Sequence, residues 1–172
     1  MGFGPLNGLV MGTRSGDIDP SVIFHLINQL GYEPAQVNNL LNKRSGMLGL
    51  TGFSDMRDIA KANNDGNADA SMALELYAYR VKKYIGAFAA ILNGLDAIIF
   101  TAGVGENDAA TRQRICTQLD YLGITINTKE NYLLKKGIHD ISAASSKVKV
   151  LVVPTNEELE IARQCYGLLK EN

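Results

Sequence analysis

Four segments carry residues whose types and spacing could do chemistry. Ala102-Gly103-Val104-Gly105-Glu106-Asn107 follows an apolar run and precedes a helical pattern. Glycines at such a turn let backbone N–H groups approach a ligand, and a helix start adds partial positive charge. Nucleotides often occupy the crevice beyond the carboxyl ends of strands. The pattern is Gly-x-Gly-x-x-Asp, not Gly-x-Gly-x-x-Gly, and the chain has no Gly-x-x-x-x-Gly-Lys-Ser/Thr loop. A plain strand-to-helix turn fits these residues equally well. A second apolar run ends in Pro154-Thr155-Asn156-Glu157-Glu158. Thr155 and Glu158 have capping-box spacing, which occupies Glu158 and leaves Glu157 free. A carboxylate there suits Mg²⁺, held directly or through water; alternatively it only complements the helix dipole. In Gly12-Thr13-Arg14-Ser15-Gly16-Asp17, the planar fork of Arg14 can clamp a phosphate or carboxylate, or pair with Asp17 or Asp19. Asp55-Met56-Arg57 stands at a helix start, where a capped helix with a local ion pair is the simpler reading. Together the four segments suggest a nucleotide or phosphate site without naming a reaction.

The elements that must position these residues alternate. Asp19 as N-cap and Pro20 at the first position open a helix striped by Val22, Ile23, Leu26, Ile27 and Leu30 and closed by Gly31. A short helix starts near Pro34, and residues 42–54, with three glycines, read as a loop. Ser54 or Asp55 caps a helix over 56–62. Residues 68–92 predict one long helix of about 37 Å, with Met72, Leu76, Tyr77, Val81, Tyr84, Ile85, Phe88 and Leu92 packed in the core. Residues 96–101 and 148–153 predict buried strands; they should be parallel neighbours ending at one sheet edge, so that 103–107 and Glu157 face one crevice. Helices are expected over 108–122 and 155–169, with a brief strand at 124–126. This alternation argues for an α/β fold, a small, mainly parallel sheet flanked by helices.

A chain of 172 residues is one domain or two small ones. Seventeen basic against eighteen acidic residues leave a net charge of −1, which argues against general nucleic-acid or anionic-membrane binding by charge alone. There is no apolar stretch long enough for a membrane span, and the first eleven residues lack a basic signal-peptide start. Cys116 and Cys165 lie far apart without CxxC or histidine partners, so a disulfide scaffold and a Cys/His zinc site are excluded. The glycine-rich first nineteen residues read as a chain entered in its middle.

In order, Met11-Gly-Thr-Arg-Ser-Gly-Asp-Ile-Asp-Pro20, Asn42-Lys-Arg-Ser-Gly-Met-Leu-Gly49, Asp55-Met-Arg57, Phe100-Thr-Ala-Gly-Val-Gly-Glu-Asn107 and Val153-Pro-Thr-Asn-Glu-Glu158 closely resemble the carboxyl-terminal part of the acetokinase family. That family comprises acetate, propionate and butyrate kinases, and the Gly-Thr-Arg-x-Gly form is most like the acetate kinases. The resemblance covers essentially the whole chain. It implies a ribonuclease-H-like core of the acetate and sugar kinase, Hsp70 and actin superfamily, with residues 1–172 as the carboxyl-terminal nucleotide-binding domain. It implies reversible transfer of the ATP γ-phosphoryl group to acetate, giving acetyl phosphate and ADP, with Mg²⁺ or Mn²⁺. Arg14 matches the arginine that stabilises the transferring group. Asp55, Met56 and Arg57, and Gly103, Val104, Gly105, Glu106 and Asn107, match nucleotide-site segments; Met56 departs from the aromatic or aliphatic residue usual there. Glu157 matches the metal-linked glutamate. Cytoplasmic homodimers are implied for intact members, with no nucleic-acid or membrane partner.

Family chains are more than twice as long. An amino-terminal part is therefore expected to be missing, and with it an asparagine, a second arginine, a catalytic aspartate and histidine, and a phosphate loop. The isolated chain is then expected to be inactive. The alternatives are a propionate kinase and a non-catalytic nucleotide-binding or assembly remnant; retention of Arg14 and Glu157 favours a catalytic role.

Overall fold

The computed structural model describes residues 4–133 and 135–170; Gly2 of the opening glycine run lies outside them. The chain folds as two compact units, Met1–Ala90 and Ile91–Asn172, and each is described by itself. No helix among the described residues is long and apolar enough to cross a membrane.

The first unit is helical: α1 (Ser21–Asn28), α2 (Pro34–Lys43), α3 (Gly46–Thr51), α4 (Met56–Asn64) and α5 (Ala68–Ile91). The α1 start falls one residue later than expected, yet the Asp19 carboxylate still accepts the Ser21 N–H at 2.8 Å. None of its stripe is buried. The expected loop over 42–54 contains α3 instead. Its amino end is stitched to the preceding segment: Ser45 N donates to Thr13 O, Met47 N to Met11 O and Leu48 N to Gly12 O, at 2.8–3.0 Å. Gly46 has φ +61°, and a Cβ there would stand 2.2 Å from Met11 O, so only glycine fits. The long helix α5 forms as predicted, but not with the predicted buried face. Ala70, Ala73, Leu74 and Ala78 are buried, while Met72 and Phe88 are each more than half exposed and Leu92, just past its end, is exposed too. Small side chains let Val10, Met47 and Ile59 pack close against the helix.

The second unit holds β1 (Ala97–Phe100), α6 (Ala102–Asn107), α7 (Ala109–Cys116), a 3₁₀ turn (Asp120–Leu122), α8 (Thr128–Tyr132), β2 (His139–Asp140), β3 (Lys149–Val152) and α9 (Glu157–Lys170). The strand order is β1-β3-β2. β1 and β3 are parallel, from Ala97 opposite Lys149 to Phe100 opposite Val152, as expected. The short β2 runs antiparallel to β3. Val150 is fully buried, but Ile99 is exposed because it stands on the face of β1 opposite Ile98 and Phe100, and that face is left open. The 124–126 segment contributes one bridge, Ile126 to Ser142. The helix expected over 108–122 stops at Cys116, since Gln118 takes φ +61°. That break lets Leu119 turn into the core at 3% exposure and rewinds the chain as the 3₁₀ turn.

Candidate functional site

The first unit presents Arg14 on a clamped loop. Met11 N donates to Arg14 O at 3.1 Å and Ser15 N to Leu41 O at 3.0 Å, so the backbone on both sides is fixed. The Arg14 side chain is exposed and has no hydrogen bond or ion pair among the described residues. Its two suggested acidic partners are occupied elsewhere. Asp19 caps α1. Asp17 accepts Gly8 N at 2.6 Å, Tyr84 Oη at 2.5 Å and Arg80 Nη2 at 3.0 Å, pinning the loop to α5. The Tyr84 hydroxyl, then the Gly8 amide and Arg80, hold the Asp17 carboxyl below its ordinary range. Sequence reading treated Asp17 only as a partner for Arg14; its distance from Arg80 and Tyr84 along the chain hides the contact.

Asp55, Met56 and Arg57 also lie in the first unit. Asp55 caps α4 by accepting Arg57 N at 2.8 Å. Arg57 Nη2 returns to Asp55 Oδ2 at 2.6 Å, which draws the Asp55 pKa down to about 2. This is the capped helix with a local ion pair. The pair is solvent-facing, so it adds little to stability and leaves the guanidinium open to a ligand.

In the second unit, residues 103–107 form α6 itself rather than a turn ahead of a helix. The strand-to-helix corner puts Ala102 at φ +58°, rare for a residue with a Cβ and often seen at functional sites. The first N–H groups of a helix lack intrahelical acceptors. Ala102 N is taken by Glu106 Oε1 at 2.8 Å, which leaves Gly103 and Val104. A Cβ on Gly103 would meet nothing within 4 Å, whereas one on Gly105 would press on Phe100 at 3.2 Å. Gly105 thus serves packing, and Gly103 opens a surface.

Glu106 joins the two strand ends. Its Oε1 also accepts Thr155 N at 2.8 Å and Thr155 Oγ1 at 2.9 Å. The expected capping box is therefore absent. Asn156 caps α9 instead, accepting Leu159 N at 2.9 Å, because the helix begins one residue later than that box requires. Glu157, its first residue, is exposed and has no hydrogen bond or ion pair among the described residues. Hence 102–107 and 155–157 meet at the carboxyl edge of β1 and β3, as the parallel pairing requires.

Beneath α6 lies Arg112, 5% exposed, with its side chain bonded to Asn131 and to the Gly105 and Glu106 carbonyls. Sequence reading passed over it. A signal was there: Arg112, Ile115, Cys116 and Leu119 share one helical face by spacing, placing a charge in an apolar stripe.

Thr155, acting first through its N–H and then its hydroxyl, holds the Glu106 carboxyl below its ordinary 4.5. A lowered carboxylate pKa favours the fold above the ordinary value, and that contribution fades as pH falls through the folded value. Thr155→Val removes the O–H donor and keeps the N–H. The Glu106 pKa should then rise toward 4.5, read by ¹³C carboxyl titration; an unmoved titration would contradict the brace.

The profile of the acetokinase family matches residues 1–163. The chain is 57% identical over 170 residues to an acetate kinase of Flavobacterium johnsoniae, covering 99% of this chain and 43% of that protein. The crystal structure of Porphyromonas gingivalis acetate kinase superposes with TM-score 0.88 at 45% identity, over 96% of this chain and 42% of that one. A propionate kinase structure from Francisella tularensis gives 0.85 at 40% identity, over 92% and 40%. The chain thus spans about 43% of the length of the curated relatives it matches. With the paired strand ends in place and the family profile running through nearly all of its residues, this chain belongs to the acetokinase family.

Proposed function

We propose that this chain supplies the nucleotide-side machinery of an acetate kinase, which moves the ATP γ-phosphoryl group reversibly to acetate. The observation that carries the reading is the junction where Glu106 ties α6 to Thr155, two residues before Glu157, in a member of this family. Phosphoryl transfer is mostly positioning and charge stabilisation. In this reading Gly103, Val104, Gly105, Glu106 and Asn107 form an adenosine-side segment, and the phosphate loop belongs to the part of the family chain that this one does not span. Asp55, Met56 and Arg57 serve the adenosine side, and Arg14 stabilises the moving phosphoryl group.

The described residues contain no group of three His, Cys, Asp or Glu side chains able to hold a metal. A single free carboxylate, Glu157, fits Mg²⁺ or Mn²⁺ brought in on nucleotide phosphates, which supply the remaining ligands. The ion, when bound, neutralises phosphate charge during transfer. By family resemblance the intact enzyme is a cytoplasmic homodimer.

The full-length protein containing these residues should form ATP from ADP and acetyl phosphate faster than from ADP and propionyl phosphate. A preference for propionyl phosphate would assign it to the propionate kinases, and no turnover with either would favour a non-catalytic nucleotide-binding role. Binding gives a second test. Alanine is a better helix former than glycine by about 1 kcal/mol, so Gly103→Ala should not lower thermal stability. It should nonetheless weaken ADP binding roughly tenfold, because the methyl group stands on the open face that the nucleotide would approach. Unchanged ADP affinity would remove Gly103 from the site.

A further inference from the structure

Arg112 is buried and grips two elements with one guanidinium. Its Nε and Nη2 donate to Oδ1 and O of Asn131, each at 2.8 Å. Its Nη1 donates to the carbonyls of Gly105 and Glu106, both at 2.8 Å. Asn131, itself 0% exposed, passes the bond network on through Nδ2 to Ala109 O at 2.8 Å. All the acceptors are neutral oxygens. The neighbouring carboxylate, Asp108, is engaged by Thr111 N and Oγ1. Burying a cation without a paired carboxylate is costly, and a neutral amide could tie a helix end with less desolvation. What a guanidinium adds is a rigid fork that reaches several carbonyls at once, and a positive charge.

We propose that Arg112 is a positioning residue for the nucleotide site. It locks the carboxyl end of α6 through the Gly105 and Glu106 carbonyls and so holds the 103–107 segment in place to receive ADP or ATP. The inference rests on the nucleotide reading above. Lysine keeps the charge but cannot span Asn131 and two carbonyls; alanine loses both.

The test is an ADP titration, with Mg²⁺, of the wild-type chain, Arg112→Lys and Arg112→Ala, beside thermal melts. Wild type should bind, Arg112→Lys should bind at least about tenfold more weakly while folded, and millimolar guanidinium, but not NaCl of equal ionic strength, should restore binding to Arg112→Ala. If wild type fails to bind ADP, the nucleotide reading falls and takes this one with it. If wild type binds and folded Arg112→Lys binds equally well, only the role of Arg112 is overturned, whatever its melting point. Should both variants unfold, the wild-type Arg112 Nε–H resonance decides: saturating ADP should shift it and slow its exchange with water, and an unmoved signal overturns the proposal.

Discussion

Arg14→Ala in the full-length enzyme is expected to slow phosphoryl transfer roughly 10³-fold or more, with ADP affinity changed far less. The side chain is exposed and has no hydrogen bond or ion pair among the described residues, so its loss should cost the fold less than about 0.5 kcal/mol. The backbone beneath it is held firmly: Gly46 admits close contact with Met11 and Arg14, and Asp17 is pinned by Gly8, Arg80 and Tyr84. A fixed loop carrying an uncommitted guanidinium can meet charge that develops on a transferring phosphoryl group without reorganising. Arg14→Lys should recover only part of the rate, since an ammonium gives no two-point contact. The readout is kcat at saturating ADP and acetyl phosphate, with KM for ADP as control. A kcat within a few-fold of wild type would remove Arg14 from the chemistry.

The second large effect is complete loss of turnover in the 172-residue polypeptide assayed alone. An arginine aimed at the reacting group is worth roughly 10³–10⁵ in rate, but only when acceptor and γ-phosphate are held in line by other groups. This chain matches about 43% of the length of its relatives, and the acetate-side residues are expected in the rest. Acetyl phosphate formation from ATP and acetate should stay at background and appear when the remaining part is supplied in trans or in one chain. Clear turnover by the pure 172-residue chain would contradict this division of labour.

The two strands and their shared edge were legible because a continuous apolar run has few other uses, and parallel neighbours must send their following segments to one side. The long α5 was legible by length, but its buried face was not. Periodicity in large apolar residues pointed to Met72 and Phe88, whereas alanines at 70, 73 and 78 meet the core. Hydrophobicity alone does not say which face a neighbour will approach closely. The α3 helix was hidden by its own glycines: Gly46 marks close backbone approach, not a loop. At the site, single residues were legible by type, while their ties were not. Glu106 to Thr155 and Arg112 to Asn131 span 49 and 19 residues, and nothing local in the sequence announces them. Thr155 in particular looked like a helix cap, yet its hydroxyl crosses to Glu106.

The central claim is that this chain carries a nucleotide site at the carboxyl edge of β1 and β3. Amide chemical-shift mapping of the 172-residue chain with ADP and Mg²⁺ tests it most directly. The account predicts weak, saturable binding, with the largest shifts within the second unit at 103–107 and Glu157. Saturable shifts confined to other residues, or no binding at millimolar ADP, would contradict it.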